Sequence, residues 1–258
     1  MRLSFSTLGC PDWQFEDIFS IASDLGYNGI EIRGIADEIY APKIKNIETI
    51  NNKLQKAGIK IPILTSGAYL ADNPDIGEAY KEIEDYAKLA QKLGIKYIRV
   101  MGEKTPEPIC PDDILFHFKA LCEITKTYGV ELLIETNGFL ADSTVMRDFI
   151  AGFENCGVLW DVHHTVRYFQ ETPAYTVKNI GKFIKHTHIK DSVVGRNGKL
   201  TYMLTGYGDI PIEEAVRELK NIGYDGYYSY EWVKRWANEL AEPGVAFYQY
   251  IIYMKDLE

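Results

Sequence analysis

Four short runs of the chain each end in a side chain able to ligate a cation or move a proton. They are Glu135 in "ELLIET", Asp161 in "VLWDVHH", His188 in "KHTHIKD" and Glu231 in "YYSYEW". A glutamate at a strand end is ordinarily solvated or salt-bridged, and a lone histidine is ordinarily a satisfied polar group. Three carboxylates and an imidazole converging on one site are different, because the acids repel one another unless a cation stands between them. A divalent ion removes that repulsion and can take all four as ligands. Such an oxygen-rich set favours manganese, magnesium or cobalt, manganese foremost; zinc, more usual with additional His or Cys, stays open.

Those four residues must be held by regular elements. A phrase of apolar residue, glycine and a short apolar or β-branched run recurs at Gly26, Gly58, Gly94, Gly129, Gly157, Gly181 and Gly223. A glycine just past a helical pattern is the left-handed C-cap signal, and the run after each reads as a strand. Before Gly26, residues Phe15, Ile18, Phe19, Ala22 and Leu25 recur at helical spacing. Ile44 to Ala57 before Gly58, and Ile212 to Ile222 before Gly223, do the same. The segment before Gly181 is less regular and reads as a short helix. With "RLSFST" as the first strand, eight strands alternate with helices, and a last helix spans roughly 244–257. This alternation implies a parallel sheet with helical crossovers, a single (β/α)8 barrel domain over residues 1–258. An open doubly wound sheet is the alternative, but no G-x-G-x-x-G follows the first strand. In such barrels the C-terminal strand ends carry the site, which is where the four residues fall.

Composition narrows the function. Of 258 residues, 46% are hydrophobic and 25% charged, and the net charge of −9 comes without a basic block, which speaks against nucleic acid as a partner. No run is long enough for a membrane span, and "MRLSFSTLGC" does not read as a signal peptide. Cys10, Cys110, Cys122 and Cys156 lie far apart with no C-x-x-C pair, which points to reduced structural thiols in a cytoplasmic protein. The tyrosine-rich "VAFYQYIIYM" offers a contact face for a second copy of the chain.

Taken in order, "GIEIRG", "IET", "WDVHH", "HTHIKD", "LTGYGDIPI" and "YSYEW" resemble the xylose-isomerase-like TIM-barrel superfamily, specifically its sugar (phosphate) isomerase/epimerase branch. The resemblance implies that Glu135, Asp161, His188 and Glu231 are the metal ligands, and that His164, three residues after Asp161, binds substrate. The family's arginine after the strand-seven ligand meets Val194 at its usual offset, so Arg196, in "GRNG", is the nearest match for a substrate contact. Tyr207 replaces the acid of the family's "GEGDIP", and Asn137 stands where many relatives have histidine. His186, about 7 Å deeper than His188 along the strand, packs in the interior or supports the ligand.

The chemistry so implied is epimerisation or isomerisation of a ketose or ketose phosphate. A metal-bound cis-enediolate is stabilised by the ion, and Glu135 and Glu231 serve as acid and base. Return of the proton to the same carbon gives an epimer, and to its neighbour an isomer. Glu31, Arg33 and Arg99 fit an interior ion pair and a substrate contact equally, and Lys190 and Asp191 fit a salt bridge or support of the site. Trp13, Trp232 and Trp236 read first as packing. Three other functions compete: a polyol dehydratase using the same ion, a metal-cluster DNA-repair endonuclease, which five histidines and the acidic charge disfavour, and a noncatalytic sugar-binding barrel.

Overall fold

The computed structural model of the chain describes residues 1–71, 76–103 and 111–258. Cys110, one of the four expected structural thiols, lies outside them. In chain order the main elements are β1 (Arg2–Ser6), α1 (Phe15–Leu25), β2 (Gly29–Glu31), α2 (Ile47–Lys56), β3 (Ile63–Tyr69), α3 (Ile76–Leu93), β4 (Tyr97–Met101), α4 (Pro111–Thr127) and β5 (Glu131–Glu135). There follow α5 (Ser143–Ile150), β6 (Cys156–Asp161), α6 (Val162–Phe169), α7 (Pro173–Ile180), β7 (Ile184–Ile189), β8 (Asp191–Val194), β9 (Leu200–Met203), α8 (Ile212–Asn221), β10 (Tyr227–Tyr230) and α9 (Pro243–Lys255). Eight parallel strands alternate with helices, the order of a (β/α)8 barrel.

Two compact units divide the chain: residues 1–61 with 187–258, and residues 62–186. In the first, the strands run β2–β1–β10–β7. Its core is aromatic: Phe5 stacks on Phe247 with ring centroids 4.2 Å apart, and Tyr230 stacks on Tyr250 at 4.5 Å. These contacts account for α9, whose Phe247, Tyr250, Ile251 and Met254 are buried. Much of the tyrosine-rich helix is therefore core rather than contact face, and its apolar exposure is confined to Val245, Tyr248 and Ile252. Trp232 is buried against Tyr230, and Trp13 meets Phe247 edge-on, whereas Trp236 is exposed. Burial pushes the Tyr250 and Tyr230 hydroxyls far above the ordinary tyrosine range, so this core stays uncharged.

In the second unit β3, β4, β5 and β6 pair in sequence. Ile63, Leu133 and Leu159 form its inner cluster with Tyr97 packed against them, and Phe118, Phe149 and Phe153 join α4 to the α5 region. The thiols fit this packing. Cys10 and Cys122 are buried, and burial pushes the Cys10 thiol up. A hydrogen bond with Cys156, together with burial, raises that of Cys122.

Five of the seven expected glycine caps, at Gly26, Gly58, Gly94, Gly129 and Gly223, have positive φ. Gly181 does not: it sits at φ −51 and leads directly into a 3-10 turn. Gly157 lies inside β6, and the left-handed residue there is Asn155 at φ 60. What β6 requires at Gly157 is space. A Cβ there would come 2.9 Å from the Phe183 carbonyl oxygen and 2.6 Å from Lys185 Cγ. Gly157→Ala is expected to lower stability by about 1–3 kcal/mol, the range for an overpacked core, read as a shift in the urea midpoint. An unchanged midpoint would show that the neighbouring backbone yields freely.

Candidate active site

Unit 62–186 brings Glu135, Asp161 and His164 together. Glu135 closes β5 and pairs in register with Leu159, so Asp161, two residues on, lies one pleat farther along β6. Arg99 of β4 is level with Leu133, and its guanidinium reaches up to Glu135. Nη1 donates to Glu135 Oε2 at 2.5 Å, and Nη2 donates to the Ser66 carbonyl at 2.5 Å. Both partners of this ion pair are almost wholly buried. Arg99 therefore belongs to an interior ion pair, and its partner is a proposed ligand. Asp161 caps α6, its Oδ1 accepting the His164 N–H at 3.2 Å. That cap turns the chain straight from strand to helix, which sets His164 beside the carboxylates: His164 Nδ1 lies 2.9 Å from the Thr136 carbonyl, 3.4 Å from Asp161 Oδ2 and 3.7 Å from Glu135 Oε1. The contact with a carbonyl assigns the proton to Nδ1, so Nδ1 faces the protein as a donor. Asn137 follows on the same loop. Its Oδ1 is buried and accepts no hydrogen bond from the described residues, an acceptor that a sugar hydroxyl can satisfy.

The other unit, residues 1–61 with 187–258, holds His188 and Glu231. Ser229 is level with His188 across β10 and β7, and Glu231 follows two residues later on the same face. His188 Nδ1 lies 3.3 Å from Glu231 Oε1, and Lys190 Nζ donates to Glu231 Oε2 at 2.6 Å. All three residues are buried. Glu31 of β2, also buried, receives His188 Nε2 at 3.0 Å and the Ser229 hydroxyl at 3.0 Å. The Arg33 guanidinium donates to the Ile39 carbonyl.

Lys190 and Asp191, adjacent in sequence, go separate ways. Asp191 accepts four backbone N–H groups: from Ser192 and Ile210 to Oδ1, and from Gly206 and Gly208 to Oδ2, at 2.8–3.2 Å. A buried carboxylate so satisfied fixes the course of the "TGYGDI" segment. Gly208 is required there, because a Cβ would overlap the Asp191 carboxylate. Tyr207 between the two glycines is 67% exposed. The "GRNGK" stretch is the tip of an antiparallel hairpin formed by β8 and β9, with Gly195 and Lys199 bonded across the turn. Arg196 sits exposed at that tip.

Within these two groups the repulsion expected among bare acids is already reduced. The second unit, which holds Glu135 and Asp161, sets Arg99 against Glu135, and the first, which holds Glu31 and Glu231, sets Lys190 against Glu231. Each group keeps two carboxylates to one cation. The donor set is oxygen-rich with imidazole, buried and pre-ordered, which suits a divalent ion.

Residues 19–251 match the family described as xylose isomerase-like TIM barrel. The chain belongs to that family and has its (β/α)8 fold. Among its relatives it is 25% identical over 258 residues to fructoselysine 3-epimerase of Escherichia coli O157:H7, with 93% of each chain covered. Among solved structures it resembles an L-ribulose 3-epimerase (TM-score 0.80, 15% identity, 99% of this chain and 94% of that one). It resembles equally the IolI protein with a binding zinc atom (TM-score 0.80, 20% identity, 100% and 98%). No helix among the described residues is long and apolar enough to cross a membrane.

The buried pair supplies a test of the electrostatics. Arg99→Met strands Glu135 without its cation and should cost about 3–5 kcal/mol in urea unfolding of the metal-free protein. Lys96→Met, which breaks a pair exposed on the lysine side, should cost about 0–1 kcal/mol. Equal losses would mean that the Arg99 pair is not a buried, structurally required one.

Proposed function

We propose that the chain is a metal-dependent sugar isomerase or epimerase acting on a ketose or ketose phosphate. In this reading the 258 residues work as one domain, and Glu135, Asp161, His188 and Glu231 hold one divalent ion, manganese foremost. The carrying observation is the pattern of buried acids, in which each proposed acid/base glutamate is tied through one oxygen to a buried cation. Glu135 Oε2 is held by Arg99 and Glu231 Oε2 by Lys190. In each case Oε1 is turned instead towards an imidazole nitrogen at 3.3–3.7 Å, His164 for Glu135 and His188 for Glu231. A carboxylate anchored through one oxygen keeps the other aimed, which metal ligation and proton transfer both need.

When bound, the ion supplies Lewis-acid stabilisation of the negative charge that builds on the substrate's carbonyl oxygen. The chain's own residues do the rest. One of the two glutamates removes the proton from the carbon beside the carbonyl, and the other, or the same one, returns it. His164 binds a substrate oxygen, its orientation fixed by the Thr136 carbonyl. Arg196 at the hairpin tip would reach a hydroxyl or phosphate of the bound sugar, and Asn137 would meet a further hydroxyl. The fructoselysine and L-ribulose 3-epimerases among the similar proteins support a ketose and abstraction next to its carbonyl. The zinc in the IolI structure supports a divalent ion.

A substrate is first found by incubating ketoses, ketose phosphates and fructoselysine with the manganese-loaded protein and identifying products. A product of unchanged mass is expected; loss of water would convert the assignment to a dehydratase. With that substrate in deuterated water and saturating metal, Glu135→Gln and Glu231→Gln should each slow deuterium entry at the reacting carbon by about 10²- to 10⁴-fold. Wild-type incorporation in both variants would sink the paired-carboxylate mechanism. His164→Ala should raise KM or lower kcat while metal stays near one per chain, and loss of metal with activity would make His164 a ligand.

A further inference from the structure

The register of the first unit puts Glu31, Ser6, Ser4, Ser229 and His188 on one face. Ser6 is paired with Glu31, Ser4 with Ser229, and Ser229 with His188, and Ser4 and Ser6 are two residues apart on β1. On that face β1 follows Arg2 with two buried serines, Ser4 and Ser6, its bulky Phe5 lying on the other side against Phe247. The long Glu31 side chain can therefore extend over β1 to the Ser229 hydroxyl and to His188. It is buried completely there, with Oε1 and Oε2 at 3.1 and 3.0 Å from His188 Nε2 and Oε2 also accepting from Ser229. An ionised carboxylate can only accept hydrogen bonds, so both contacts fix donors.

We infer that Glu31 is the positioning residue of the centre: it holds the proton of His188 on Nε2 and thereby commits Nδ1, beside Glu231 Oε1, to the metal. This inference rests on the metal reading of Proposed function and adds a residue outside its ligand set. A carboxylate behind a ligating imidazole fixes ring orientation and tautomer and raises the ligand's basicity, and its loss costs about 10- to 100-fold in metal affinity. Glu31 is the last residue of β2, 157 positions from His188 in sequence, and the packing of small serines is what allows the contact. Ser229 plays the supporting part, bonding to Glu31 so that its carboxylate cannot swing away.

Zinc titration of the metal-free protein against a chromophoric chelator at fixed pH tests this without any substrate. Wild type should bind one zinc per chain. Glu31→Gln should bind about 10- to 100-fold more weakly, Ser229→Ala a few-fold more weakly, and Glu31→Asp should recover part of the loss. Long-range ¹H–¹⁵N spectra of the zinc-loaded wild type should show His188 protonated at Nε2 and metal-bound at Nδ1. Wild-type affinity in both Glu31→Gln and Ser229→Ala, or a metal-bound Nε2, overturns the role of Glu31 while leaving the metal reading intact. A loss in Glu31→Gln as deep as that in His188→Ala also overturns it, since Glu31 would then be a ligand. If Glu31→Gln does not fold, Ser229→Ala and the spectra decide. Wild type that binds no zinc or manganese would instead bring down the metal reading, and this inference with it.

Discussion

Everything at the candidate site depends on burying carboxylates beside partners that offset their loss of hydration. An isolated buried carboxylate costs several kcal/mol or loses its charge, and only a well-placed cation or several hydrogen-bond donors offset that cost. The chain solves the problem locally. Arg99 reaches Glu135 from the adjacent strand, and Lys190 reaches Glu231 from the adjacent strand. In both cases sheet register sets the spacing, so the ion pairs follow from strand pairing itself. The choice of cation differs: arginine anchors two acceptors at once, the carboxylate and the Ser66 carbonyl, which its planar fork permits and a lysine ammonium does not.

The same economy explains the surrounding chain. Asp191 uses four backbone donors instead of a cation, and in doing so gives the segment from Gly206 to Ile210 a fixed path. Asp161 serves at once as the end of a strand and the cap of a helix. That double use places His164 one helical turn from the strand end, near enough for its ring to meet two carboxylates. In the proposed function, substrate recognition and ion binding share the backbone features that end the strands.

Much of this was legible in the sequence because it is periodic. The alternation of strands and helices, five of the glycine caps and the strand-end positions of Glu135, Asp161, His188 and Glu231 follow from local patterns. Gly157 misled because a glycine required for close approach looks identical to one required for a left-handed turn. The β8–β9 hairpin leaves little trace in the sequence because its strands are short and half exposed, with little alternation to read. The partners of the acids were out of reach for another reason. Arg99 and Glu135 are 36 residues apart, His188 and Glu31 157 apart, and only the register says which polar residues share a level. The expectation that bare acids repel omits Arg99 and Lys190, which lie against Glu135 and Glu231. The resemblance to a family carried the ligand set, but nothing in a short motif such as "GIEIRG" says that its glutamate reaches a histidine.

In the proposed function these buried carboxylates and one imidazole hold one divalent ion. An anomalous-difference map from crystals soaked in manganese tests it most directly. One strong peak per chain is expected, with ligand atoms of Glu135, Asp161, His188 and Glu231 at roughly 2.0–2.3 Å. A well-ordered map with no peak among those four side chains, or a peak held by a different set, would contradict it.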